Sequence, residues 1–154
     1  MKSLPPKINE KLAIVPFAGK SMLPLFVPGD QLLVYFFNHP DKPKALETGD
    51  LVLFKTDENW TVHRLMASQE TKGDRGIFAD DKKSHFWGRI DGVKTQNKTY
   101  FWGPSGMKFK KVTAALSLES GTFSKWKRWP ALILIWTVIK IDLFLHQVKE
   151  SEAD

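Results

Sequence analysis

The sequence contains no cysteine. Disulfide scaffolds, thiolate-bound zinc, thiol nucleophiles and thiol redox motifs are therefore excluded together. A chain without cysteine suits an oxidising or a reducing compartment equally well. Histidine is scarce as well: His39, His63, His85 and His146 are the only four. None of them stands in HxxxH or HExxH spacing, so a histidine-built metal site has little support and no cofactor is expected. The N-terminal part also lacks a long apolar run. Leu12–Ala18 is short and contains Pro16, and Lys7, Glu10 and Lys11 interrupt what precedes it. It reads neither as a cleavable secretory signal nor as a membrane span.

What is present suits one globular domain. The 154 residues are 42% hydrophobic and 26% charged, which excludes a disordered or collagen-like chain. Acidic residues are sparse in one window. Between 101 and 128, Lys108, Lys110, Lys111, Lys125, Lys127 and Arg128 face Glu119 alone, so this window carries +5 of the net +6. Such a cluster suits an anionic neighbour, either a membrane surface or nucleic acid, or simply a solvated basic face.

From Ile14 to about Tyr100 the chain reads as β. Gln31–Phe37, Leu51–Lys55 and Trp60–Met66 are Val-, Leu- and Phe-rich runs, each entered from a turn. Ile77–Phe78, His85–Ile90 and Thr99–Trp102 are weaker strand candidates. Strands this closely spaced predict a mainly β, compact coiled domain over 1–107. Residues 108–154 form a basic segment followed by an apolar element. That element, 129–148, has no charge from Trp129 to Ile139, but then meets Lys140 and Asp142. Its polar positions do not gather on one helical face, and its β-branched content leaves helix and strand both open.

The chemistry starts at Gly19-Lys20-Ser21-Met22-Leu23-Pro24, followed by Pro28-Gly29-Asp30. A serine in a Gly- and Pro-bounded turn can project its hydroxyl from the surface, although an ordinary turn serine would look the same. Thr48-Gly49-Asp50 leads into a strand, and Thr61-Val62-His63-Arg64-Leu65 follows. Strand alternation puts His63 with Thr61 and Leu65, opposite Val62 and Arg64. Thr71-Lys72-Gly73-Asp74 comes next, then Asp80-Asp81 and Gly88-Arg89-Ile90.

These boxes, in this order over about residues 12–93, resemble the signal peptidase I-like serine peptidases. Histidine before the Arg of the second box resembles the endoplasmic-reticulum and archaeal Ser-His-Asp type, where typical bacterial members have lysine. The resemblance implies a LexA-like coiled β fold and a serine endopeptidase with Ser21 as nucleophile, His63 as general base and Asp80 as orienting carboxylate. Asp81 and Asp74 are alternative carboxylates, Asp74 being expected to hold its loop through local backbone amides. An imidazole base makes independent sense, because an unperturbed imidazole titrates at about 6.5 and is mostly neutral at pH 7. Many family members carry a hydroxyl residue two positions before the nucleophile. Here that position is Gly19, so oxyanion binding would fall to backbone N–H groups, including that of Ser21. The N-terminal membrane anchor of most signal peptidases is also absent from the sequence. His39 reads as a solvated loop residue and His85 as a weak alternative base.

Phe17, Met22, Leu25 and Phe26 flank the nucleophile and are expected to wall a substrate groove for small or apolar side chains. The expected partner is a protein or peptide precursor. An anionic membrane surface is a second, through Lys108–Arg128 and residues 129–148. The latter segment could span marginally, lie on the surface or pack as a final core element. A silent peptide-binding β domain is one rival. A nucleic-acid module stacking bases on Tyr100, Phe101, Trp102 and Trp126 is another, although no nucleic acid is expected at this overall charge. A self-cleaving repressor relative is a third, disfavoured because no helix-turn-helix fits ahead of Ser21.

Overall fold

The computed structural model describes residues 12–23, 25–38, 46–56, 59–67, 70–74, 80, 85–122 and 125–148; the side chains of 118–128 and 148 are not part of that description. The strand expected at Ile77–Phe78, together with His39, Asp81 and the Trp126 side chain, lies outside the described residues.

The chain is mainly β. Its strands are β1 Leu12–Pro16, β2 Gln31–Phe36, β3 Leu51–Thr56, β4 Asn59–Leu65, β5 Thr71–Lys72, β6 Gly88–Lys94, β7 Thr99–Phe101 and β8 Gln147–Val148. They form one antiparallel sheet in the order β1-β2-β6-β3-β4-β5, with β7 paired to β6 and β8 to β7. β6 is the pivot: it pairs β2 along one edge, and β3 and then β7 along the other.

β3 has its first four residues buried, and its period of two divides them between two cores. Leu51 and Leu53 join the main core with Val62, Phe26, Leu32 and Ile90. Val52 and Phe54 join a smaller core with Leu65 and Phe86.

β6 runs Gly88–Lys94, not the expected His85–Ile90. Its Gly, Arg and Asp content argues against a strand by propensity, and tertiary contacts override it. A Cβ at Gly92 would sit 2.4 Å from Tyr100 O, so only glycine lets β7 approach. Asp91 falls at a register shift opposite Leu33/Val34. There it accepts bonds from Arg89 Nε (2.6 Å) and Nη2 (3.2 Å). Those bonds raise the Arg89 pKa, outweighing the opposing effect of burial.

The C-terminal part forms two helices, α1 Lys110–Thr122 and α2 Lys125–Leu145. Residues 129–148 are thus helical almost to their end, and β8 then ties the chain back to β7. Ile135, Ile139 and Leu143 of α2 are buried in the same core as the sheet. Both parts of the chain therefore share one hydrophobic centre.

Asp142, which interrupts the apolar run in sequence, faces inward. Its carboxylate accepts from Lys108 N and Phe109 N, both at 2.8 Å, and so caps the start of α1. No described helix is long and apolar enough to cross a membrane.

Candidate active site

Ser21 sits in a tight turn between β1 and β2. Leu23 N donates to Lys20 O (3.3 Å), and Leu25 N and Phe26 N donate to Met22 O (2.8 and 3.2 Å). These bonds close the turn without using the Ser21 amide, which stays available to an oxyanion beside its own hydroxyl. Phe17, Met22, Leu25 and Phe26 are 9%, 0%, 5% and 0% exposed. They support the turn from beneath as part of the main core and do not wall an open groove. Inward packing of these large side chains is what fixes the loop and leaves Ser21 half-buried at its outer side.

His63 lies on β4 as alternation predicts. It is paired with Val52, and its ring packs edge-on against Phe54, 5.7 Å between centroids, over the smaller core. Val62 and Arg64 point the other way, Val62 into the main core. Nδ1 of His63 lies 2.5 Å from Asp80 Oδ2. With the carboxylate as acceptor, Nδ1 carries the proton and Nε2 presents a lone pair.

Asp80 is itself held by β5. Its backbone N donates to Thr71 O (2.7 Å), and Thr71 Oγ1 donates to its Oδ2 (2.8 Å). Thr71 was not singled out by sequence reading. The signal for it is its place at the head of the Thr-Lys-Gly-Asp box, on the face of β5 that looks toward His63.

Gly73 brings Ser21 and His63 together. A Cβ at this position would lie 2.8 Å from Ser21 O, 2.9 Å from Ser21 Cβ and 3.1 Å from His63 Nε2. Ser21 Cβ and His63 Nε2 are therefore no more than about 6 Å apart, across a space that only glycine leaves open. Catalytic hydrogen bonds of this kind are often long before substrate binds. Gly73→Ala is expected to displace the Ser21 turn or the imidazole and lower kcat about a hundredfold. Steady-state kinetics on a peptide substrate, with circular dichroism confirming an intact fold, would check this.

Asp74 departs from its expected role. Among the described residues it grips Arg64, with Nε–Oδ1 at 2.8 Å and Nη2–Oδ2 at 2.7 Å, and bonds no local amide. Both side chains are fully buried. Arg64 Nη1 also donates to Gly49 O (2.9 Å). This locks β4, the Gly73 turn and the Gly49 turn together behind the site, and it commits Asp74 away from His63. His85 is exposed.

Two buried lysines tie the same turns to α1. Lys72, 1% exposed, donates from Nζ to Ser117 O (2.6 Å) and Ser117 Oγ (3.0 Å). Lys110 Nζ donates to Asp50 Oδ1 (2.8 Å) and lies 3.4 Å from Glu47 Oε2. The Lys110 charge and hydrogen bond, and then the Lys111 charge, hold the Glu47 carboxyl below its ordinary range. Gly49 adopts φ +94°, and a Cβ there would lie 2.4 Å from the Lys110 carbonyl. Close packing of α1 on this turn thus requires glycine twice over, for conformation and for space.

Among the described residues no group of three or more His, Cys, Asp or Glu side chains is arranged to hold a metal ion. The Trp102 indole is buried and donates to Ile90 O (2.8 Å), which removes it from any base-stacking surface. Searches for similar proteins return no matching family model, no matching curated protein and no matching solved structure.

Proposed function

We propose that this protein is a serine endopeptidase that cleaves a leader-type or other extended segment of a protein or peptide precursor. The observation that carries the reading is the convergence at Gly73: Ser21 on one side, and on the other His63 with Nδ1 bonded to Asp80. Ser21 Oγ attacks the scissile carbonyl while His63 Nε2 takes its proton. The Ser21 N–H stabilises the tetrahedral oxyanion. The imidazolium, steadied by Asp80, then protonates the leaving amine, and water hydrolyses the acyl-enzyme by the reverse proton path.

Two features favour this over a lysine-based mechanism or a silent binding domain. Thr71 and Lys72 occupy opposite faces of β5, so the buried ammonium next to Gly73 is turned toward α1 and away from the base position. Among the described strands β1 is the end one of the sheet, and it runs directly into the Ser21 turn. An extended peptide added along that edge would be delivered toward Ser21. Its working place, in this reading, is a membrane surface, to which it is held peripherally.

The test is covalent labelling with a serine-acylating inhibitor, read by intact mass and peptide mapping. One adduct on Ser21 supports the reading, and an unlabelled, folded protein counts against it. The pH dependence follows from the base. A protonated imidazole offers no lone pair, so kcat/KM on a peptide substrate is expected to fall as the medium becomes acidic. A rate that instead requires strongly alkaline deprotonation would point to a lysine.

A further inference from the structure

The outward face of α2 is unusual for a helix that packs on a core. Trp129, Ile133, Trp136 and Phe144 are 69%, 60%, 47% and 76% exposed, and Leu134, Ile141 and Leu145 about half exposed. The first four form a stripe with Lys140 about 22 Å long at the helical rise. The opposite face is already spent: Ile135, Ile139 and Leu143 fill the core. A helix apolar on both faces has something further to cover it, since contiguous apolar patches of this kind mark interaction sites.

The charges on the page select the occupant. Asp142 is the only acidic residue in α2, and it is turned inward onto the start of α1. Among the described side chains of α2, the outer face carries one charge, Lys140, whose ammonium lies 5.5 Å from the Trp136 ring centroid. A lysine within such a stripe can lay its stem on apolar surface while its ammonium reaches a lipid headgroup. By sequence, Lys125, Lys127 and Arg128 open the same helix. On neighbouring α1, the Lys111 side chain is 69% exposed, although its ammonium lies 3.6 Å from Glu47 Oε2. A second copy fits less well, because a two-fold contact would set two basic helices against each other with no outward-facing acid on α2 to meet them. α2 is not long and apolar enough to cross a membrane.

We infer that the outer face of α2 docks in the plane of an anionic lipid surface, with its tryptophan, isoleucine and phenylalanine side chains in the acyl boundary and Lys140 at the phosphate level. This specifies the peripheral placement proposed above and stands whether or not Ser21 is catalytic.

The test is flotation of the full chain with phosphatidylcholine vesicles and with vesicles containing one third phosphatidylglycerol. Tryptophan emission and its quenching by brominated acyl chains are read in parallel. The expected result is co-flotation with the anionic vesicles, a blue shift and strong quenching. Lys140→Gln should weaken anionic binding about fivefold. Ile133→Ser with Phe144→Ser, both exposed and so compatible with folding, should weaken it at least tenfold, on the order of the apolar burial removed. Ser21→Ala should float as the parent does, which separates this result from the catalytic one. No binding to anionic vesicles, binding unchanged in the double variant, or a stable dimer in sedimentation that buries the tryptophans without lipid would overturn the inference.

Discussion

Ser21→Ala is expected to abolish peptide hydrolysis while leaving the fold intact, with kcat reduced about 10⁴-fold or more. The side chain lies in a turn whose hydrogen bonds are made by other residues, so removing its hydroxyl costs the structure little. His63→Ala should be about as damaging, because in the proposed mechanism nucleophile and base act as one unit. The double variant should therefore be no worse than either single one. Asp80→Ala should be milder by roughly one to two orders of magnitude, since it orients and stabilises the imidazole but touches no substrate atom. Turnover of a fluorogenic peptide, with thermal melts to confirm folding, checks all four. Additive losses in the double variant would mean that Ser21 and His63 do not act on one step.

Asp74→Ala is expected to be the most destabilising single change. It leaves the Arg64 guanidinium, 0% exposed, without its bidentate partner. An uncompensated buried charge of this kind costs about 3–5 kcal/mol. For a domain of this size that lowers Tm by about 10–15 °C. Arg64→Leu combined with Asp74→Leu should recover part of the loss, because replacing both partners removes the charge that could not be solvated. Recovery should be incomplete, as Gly49 O loses its donor. Where the Asp74 variant is still folded, kcat should fall about tenfold, because Arg64–Asp74 fixes the distance between His63 and the Gly73 turn. Differential scanning calorimetry with kinetics below the transition would separate the two effects. An Asp74→Ala protein with unchanged Tm would show that the pair carries no structural burden.

The strand runs, the Gly-Asp turns and the face on which His63 lies were legible because they rest on short-range rules. Alternation divides β3 and β4 between two cores, and Pro and Gly set the turns around Ser21. The basic cluster and the interrupted apolar run were visible too, but not how their charges are used. Polar residues argued against β6 as a strand, and nothing local shows that β7 needs a glycine there in order to approach.

By itself, then, the sequence determined the mainly β class, the turn that carries Ser21 and the histidine that shares a strand face with Thr61. Only the tertiary structure decided which charges are partners. Lys72 meets Ser117 across 45 residues, Lys110 meets Asp50 across 60, and Asp142 caps α1 from 34 residues away. Pattern in a window encodes which face a residue takes. Pairings at such separations exist only once the chain has closed around its core, and that closure turns Asp142 inward and leaves Lys140, Trp129 and Trp136 facing out.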